Sequence, residues 1–163
     1  MSGDAPEIHV KVADYAVAAA GTIATIGLGS CVAIVLYDPE AHVGGMAHVL
    51  LPNEAMSSDR SNPAKFPSSA VPLLLSEMRL LGAKPERVRA KIVGGASMFA
   101  NLVPSRGINI GERNVVAVRG VLSEVKIPIV AEDVGSDHGR SVFLFIDDGR
   151  VEVRSLKKGS RVL

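Results

Sequence analysis

The sequence predicts an α+β fold, with several mostly antiparallel strands and two substantial helices. Three observations predict it. Apolar β-type runs crowd the first third of the chain, two later segments carry apolar residues at helical spacing, and the final third holds a hairpin turn signature. Taken in order, Ile8, Val10 and Val12 alternate with His9 and Lys11, as a half-buried strand does. Thr22 to Ile26 is a second short β run. Val32 to Tyr37 is apolar throughout, which fits a central strand covered on both faces. A turn at Asp38-Pro39 leads to another such run, Gly45 to Leu51. Ser68 or Ser69 can cap the first helix, and Pro72 is tolerated in its first turn. Val71, Leu74, Leu75, Met78 and Leu81 form its apolar face, and Gly82 suits the position just past its end. Lys91 to Gly94 reads as a strand running into a Gly-Gly turn. Asn109 opens the second helix, where Glu112 completes a capping-box pattern. Val115, Val118, Leu122 and Val125 share its inner face, and Pro128 marks its end. Ile127 to Glu132 is a strand. Val142 to Ile146 and Val151 to Ser155 form a hairpin around Asp147-Asp148-Gly149-Arg150, since Asp-Gly supplies the positive φ of a tight turn.

Composition bounds the function. The chain has 163 residues, 47% hydrophobic and 21% charged, with a mean hydropathy of +0.27. A single domain over residues 1–163 is expected, and disorder as the main state is excluded. Lys plus Arg number 18 and Asp plus Glu 17, a net charge of +1, which argues against a generic polyanion binder. Aromatics are 4% and Trp is absent, so a stacking platform for bases is not expected. One cysteine excludes an internal disulfide and any zinc site built on several thiolates, and fits a reducing compartment. Met1 to Glu7 has no basic n-region, so it does not read as a signal peptide, and no apolar run approaches the ~20 residues of a membrane span. A cytoplasmic domain is the expectation.

Two motifs carry the chemistry. In Gly27-Leu28-Gly29-Ser30-Cys31, glycines before the only cysteine let the backbone turn sharply, and amide N–H groups in such a turn can converge on an oxyanion. The thiolate is the reactive form of cysteine, so reactivity near neutral pH needs a nearby base or cation. The plain alternative is a cysteine that only packs, as most free cysteines do. In Gly44-Gly45-Met46-Ala47-His48-Val49-Leu50-Leu51-Pro52, strand alternation puts Met46, His48 and Leu50 on one face. His48 follows Cys31 by 17 residues with one turn between, so two adjacent antiparallel strands could join the pair for general acid–base and nucleophilic work. Its plain alternative is a core histidine with a satisfied hydrogen bond. Thr25, on the preceding strand, could orient the imidazole through its hydroxyl or carbonyl.

The remaining candidates carry less. Gly27-Leu28-Gly29 lacks the third glycine of a dinucleotide fingerprint, and no Walker lysine motif occurs. His9, His42 and His138 lack metal-ligand spacing, so neither a metal nor an organic cofactor is expected. Glu132, Asp133, Asp137 and His138 read as a polar turn between strands. Gly94-Gly95-Ala96 and Gly107 to Asn114 read as tight turns that could wall a site. Pro52 to Pro67 is long for a loop, and its place after His48 makes it a candidate for part of a substrate groove.

The ordered blocks resemble the chemoreceptor glutamine deamidase family, CheD. They are Thr25 to Val32, Gly44 to Pro52, Lys91-Ile92-Val93-Gly94-Gly95-Ala96-Ser97-Met98-Phe99, Ile110-Gly111-Glu112-Arg113-Asn114, and Glu132-Asp133-Val134-Gly135 with Gly139-Arg140. The resemblance implies a protein-glutamine glutaminase acting on chemoreceptors, with a Cys-His-Thr constellation at Cys31, His48 and Thr25. It implies a layered sandwich of mixed β-sheets flanked by helices, similar to the catalytic domain of cytotoxic necrotizing factor toxins. It also implies binding to the receptor-adaptation phosphatase CheC in bacteria that have it. The chain departs from the pattern at Lys65-Phe66-Pro67, where a tyrosine and no proline is expected, and at Val134-Gly135-Ser136, where paired glycines are expected.

The mechanism implied is thiolate attack on a receptor glutamine carboxamide, with backbone amides around Gly29 and Ser30 holding the oxyanion and a thioester hydrolysed to glutamate. The same pair could cleave a glutamyl methyl ester. Because the substrate is a helix on a larger protein, an accessible groove over the thiol is expected. Two rivals stand: a non-catalytic module regulating a CheC-type phosphatase, with Cys31 and His48 merely packed, and a cysteine protease or amidase with a small substrate.

Overall fold

The computed structural model describes residues 5–97 and 109–163. The described strands are β1 Glu7–His9, β2 Tyr15–Ala18, β3 Thr22–Leu28, β4 Val32–Asp38, β5 Val43–Val49, β6 Arg89–Gly94, β7 Ile129–Val134, β8 Arg140–Phe145, β9 Val151–Ser155 and β10 Gly159–Val162. The α-helices are α1 Pro67–Leu80 and α2 Ile110–Glu124. One sheet has the order β1-β3-β8-β9-β10 and the other β2-β5-β4-β6-β7. Each is mixed: β1–β3 and β6–β7 are parallel, and the other pairs antiparallel.

Strand alternation divides the apolar residues of β4 between two cores. Val32, Ile34 and Leu36 face α1 and α2, packing with Val71, Leu74, Met78, Val118 and Leu122. Ala33 and Val35 face the other sheet, packing with Ile23, Leu28, Val142 and Leu144. The result is three layers, sheet on sheet on helices, with β4 and β5 in the middle. All of β5 is buried for that reason. The α+β expectation, with mixed sheets and two helices, is met. Each buried Leu or Met at the helix–sheet face stabilises by roughly 1.5–3 kcal/mol, so Leu74 and Met78, both 0% exposed, account for much of α1's attachment.

The local departures have physical reasons. The first strand stops at His9, and Val12 is 53% exposed, because Ala13 at φ 60° turns the chain away. β5 ends at Val49, since the N–H groups of Leu50 and Leu51 turn to Lys65 O. Phe66 precedes α1 and no side chain caps it; the helix already begins at Pro67, so Ser68 and Ser69 are helical residues past the cap position. Instead Ser68 Oγ donates to Glu54 Oε1 and Ser69 Oγ to Pro63 O. Leu81 and Val125 terminate their helices and are 44% and 38% exposed, outside the buried faces. Asn109 caps α2 as expected, its Oδ1 accepting from Glu112 N. Residues 110–114 are therefore the first turn of α2 and not a tight turn, while 107 and 108 lie outside the described residues, as do Met98 and Phe99. The segment from Pro52 to Pro67 holds two single turns of 3-10 helix, Glu54–Met56 and Pro63–Lys65, each capped by an asparagine side chain.

Candidate active site

Cys31 sits in the connection between β3 and β4. A register shift between Thr25 and Leu28 leaves Ile26 and Gly27 both facing out while Thr25 and Leu28, each 0% exposed, both face in. Gly27 has φ 77° and open space where a Cβ would stand, so glycine is there for its conformation alone. The next three carbonyls are tied down: Gly29 O accepts from Ala96 N, Ser30 O from Asn114 Nδ2, and Cys31 O from Gly95 N. Among the described residues, the N–H groups of Gly29 and Ser30 meet no acceptor.

His48 stands on β5 opposite Ala33 of β4, on the face that Cys31, Ala33 and Met46 turn toward the other sheet. Cys31 is two residues along that face, a diagonal neighbour on the adjacent strand. Thr25 reaches across from the other sheet, its Oγ1 2.7 Å from His48 Nδ1. The same Oγ1 donates to Val10 O at 2.6 Å. A hydroxyl has one proton and a carbonyl can only accept, so Thr25 accepts from Nδ1–H. The neutral imidazole thus carries its proton on Nδ1, and Nε2 is an unprotonated base. Nε2 is buried and has no partner among the described residues, so Cys31 and His48 share a face without being hydrogen-bonded in this state.

The electrostatics agree with a neutral pair. Burial lowers the His48 pKa from 6.5 to about 4, with no carboxylate beside it to reverse the effect. Burial raises the Cys31 thiol above its ordinary value, partly offset by its own backbone N–H. Both effects favour a thiol and a neutral imidazole over a thiolate–imidazolium pair.

Thr25 and His48 thus meet between the sheets, and Cys31 lies on the same inner face without touching either through a hydrogen bond among the described residues. The groove expected over the thiol is not seen among the described residues: Cys31 is 9% exposed. Pro52 and Asn53 line a shallow groove of about 350 Å³ with Asn109, Glu112, Arg113 and Val116, beside the site and without its three residues. Glu132 and Asp133, read from the sequence as part of a polar turn, lie in β7, and only Asp137 and His138 are in the turn; ion pairs join Glu132 to Arg119, Asp133 to Arg140 and Asp137 to Lys157. Sequence reasoning singled out neither Asn114 nor the Val10 carbonyl. Asn114 had a visible signal, a polar residue one turn before Val118 on the buried stripe of α2.

The family description "CheD chemotactic sensory transduction" matches residues 50–155, so the class is a protein of chemotactic signalling. The chain is 45% identical over 157 residues to the "Probable chemoreceptor glutamine deamidase CheD" of Caldanaerobacter subterraneus subsp. tengcongensis, covering 96% of this chain and 97% of that one. Proteins of the same name from Pyrococcus abyssi and Thermococcus kodakarensis are 46% and 44% identical, each over 94% of this chain and 94% and 95% of their own lengths. The chain belongs to the CheD family. A solved structure, the Bacillus licheniformis hypothetical protein YfiH, superposes with a TM-score of 0.45 at 18% identity, over 74% of this chain and 49% of that one, too loosely to bear on either fold or function.

Proposed function

We propose that this chain is a chemoreceptor glutamine deamidase, one domain over residues 1–163, with Cys31 as nucleophile, His48 as acid and base, and Thr25 as the group that fixes the imidazole. The observation that carries the reading is the Val10–Thr25–His48 relay, which presents an unprotonated Nε2 on the same face as the thiol. Most buried polar atoms have a hydrogen-bond partner; His48 Nε2, like His138 Nδ1, has none among the described residues, and His48 differs in sharing its face with the thiol.

The chemistry follows from that tautomer. As Cys31 Sγ attacks the glutamine carboxamide carbon, His48 Nε2 takes the thiol proton, so no standing thiolate is needed. The oxyanion develops where the N–H groups of Gly29 and Ser30 are unengaged. The imidazolium, still hydrogen-bonded to Thr25 through Nδ1, protonates the departing ammonia. Nε2 then takes a proton from water as it attacks the thioester, releasing glutamate and restoring the thiol. The fold kinship with cytotoxic necrotizing factor toxins belongs to this same proposal, supported by a thiol and an imidazole on the inner face of a two-sheet sandwich. So does docking of a CheC-type phosphatase.

The test is incubation of a chemoreceptor cytoplasmic fragment with the protein, followed by peptide mass spectrometry. Conversion of specific glutamines to glutamate by the native chain, and none by Cys31→Ser, is the expected result. Equal conversion by Cys31→Ser, or stable binding with no conversion, would overturn it.

A further inference from the structure

The ladder between β4 and β5 ends at the site. Its last rung is Val32 with Val49. Beyond it the two strands part: the N–H groups of Leu50 and Leu51 go to Lys65 O, while the chain before Val32 is drawn to Gly95 and Ala96. Two carbonyls are left past the last rung, Leu50 O one residue and Ser30 O two residues beyond it. Asn114 fills that split. Its Nδ2 donates to Ser30 O at 2.9 Å and to Leu50 O at 3.1 Å. Because both partners are carbonyls, only the NH₂ end of the amide can lie there. Ser30 is the residue before the thiol, and Leu50 lies two residues past His48, just beyond the end of its strand.

Three further facts bear on the role of this amide. Asn114 is 0% exposed in a helix face that otherwise buries Val115, Val118 and Leu122, where an apolar residue would be the default. Its Oδ1 is buried without a partner among the described residues. An amide that leaves its oxygen unsatisfied is a poor way to fill a core, so the two N–H bonds are what the position supplies. Gly111, one turn earlier on the same side of α2, meets the turn that holds Cys31 O: a Cβ there would come within 2.3 Å of Ala96 O. The helix is thereby seated close enough for a side chain as short as asparagine to reach both carbonyls.

From this geometry we infer that Asn114 is a positioning residue for the deamidation reaction: its amide cross-ties the split strands and sets the separation of the Cys31 thiol from the His48 imidazole. The inference rests on the proposed function for its activity readout only. Asn114 touches neither reacting atom. Its effect is on where the nucleophile stands when the carboxamide arrives, and a misplacement of about 1 Å costs about 100-fold in rate.

The experiment uses the full chain with Asn114→Ala and Asn114→Ser, the second keeping one donor. On the receptor fragment, kcat is expected to fall about 100-fold for Asn114→Ala and less for Asn114→Ser, with KM within about twofold of the native value. Alkylation of Cys31 by iodoacetamide reads the same tie without any receptor. Released from the tie, the thiol is better solvated, so its pH–rate curve shifts to lower pH and the rate at pH 8 rises. A merely structural amide would lower the melting temperature but leave the kcat of the folded variants and the alkylation curve unmoved, and that result overturns the inference. Should neither variant fold, the native protein still decides: the Asn114 side-chain NH₂ protons should exchange slowly and shift on alkylation of Cys31, and exchange at the rate of surface amides overturns it. If the native chain converts no glutamine, the functional reading fails, while alkylation and exchange still judge Asn114.

Discussion

The two ends of β4 and β5 each bury polar groups, and they do it in opposite ways. At one end Asp38, 0% exposed, is saturated: it accepts from the N–H groups of Glu40, Ala41 and Lys84 and from the Arg87 guanidinium. Burial alone would raise its pKa, but Arg87 and the three amides more than reverse this, holding the carboxyl at about 2. At the other end His48 is half satisfied among the described residues, one nitrogen bound to Thr25 and the other without a partner. Asn114 is likewise bound through nitrogen and bare at oxygen. The Asp38 cluster completes its hydrogen bonds; on the proposed reading His48 keeps Nε2 for the reacting groups, whereas the Asn114 oxygen touches none of them. On the proposed reading, the contrast separates a buried cluster that holds the fold from one that does chemistry.

Substitution should divide the two ends cleanly. His48→Gln is expected to lower deamidation by about 10²–10⁴-fold with the fold retained, since it removes the proton carrier. Asp38→Ala should destabilise by about 3 kcal/mol, because Arg87 and three N–H groups lose their acceptor, while kcat of the folded enzyme stays native. Urea titration and the mass-spectrometric assay on both variants check this. A large kcat loss in Asp38→Ala, or a native rate in His48→Gln, breaks the distinction.

Acid should probe the same two clusters at different pH. The folded pKa of His48 is depressed from 6.5 to about 4, so the unfolded chain binds the proton first and stability falls as pH drops across that interval. At 1.36 kcal/mol per unit the loss amounts to about 3 kcal/mol. Asp38, depressed from 3.8 to about 2, contributes stability that is present above 3.8 and lost as pH falls toward 2. Urea midpoints measured from pH 7 to 4 should decline for the native chain and flatten for His48→Gln. For activity, the acid limb of kcat/KM should lie near 4, not near 6.5; a limb near 6.5 would show a solvated imidazole.

Much of this was legible in the sequence where a pattern is local. The apolar run of β4, the turn at Asp38 and the alternation of Met46, His48 and Leu50 made it possible for two adjacent strands to join Cys31 and His48. The 3.6-residue repeats gave α1 and α2. What was not legible lacks a local pattern or depends on distant parts of the chain. β2, four small or half-buried residues, and β10, exposed throughout, carry no alternation to read. The Val10 carbonyl that orients Thr25 belongs to a residue read only as a strand position, and its role exists only once β1 and β3 pair in parallel. Asn114 spans 84 positions to Ser30, a contact no local spacing encodes.

Thr25 sharpens the comparison at smaller amplitude. Thr25→Val keeps the shape but leaves Nδ1 and Val10 O unpaired, so the imidazole no longer favours the tautomer with Nε2 free. Deamidation should fall about tenfold, in line with the loss of one buried hydrogen bond.

The smallest effect is expected beside the site, at a residue that satisfies its hydrogen bond at some strain. Ser136 stands at φ 62°, where the family resemblance leads one to expect glycine, and its carbonyl accepts from Ser97 N in the turn that supports Cys31. A side chain in the left-handed region costs about 1–2 kcal/mol, against which glycine's extra freedom in the unfolded chain returns about 0.5–1 kcal/mol. Ser136→Gly should therefore stabilise by about 0.5–1 kcal/mol by urea titration and leave kcat unchanged. A change in kcat would mean that the strain itself holds the thiol in place, and the line between the completed cluster and the reserved one would then run through this turn.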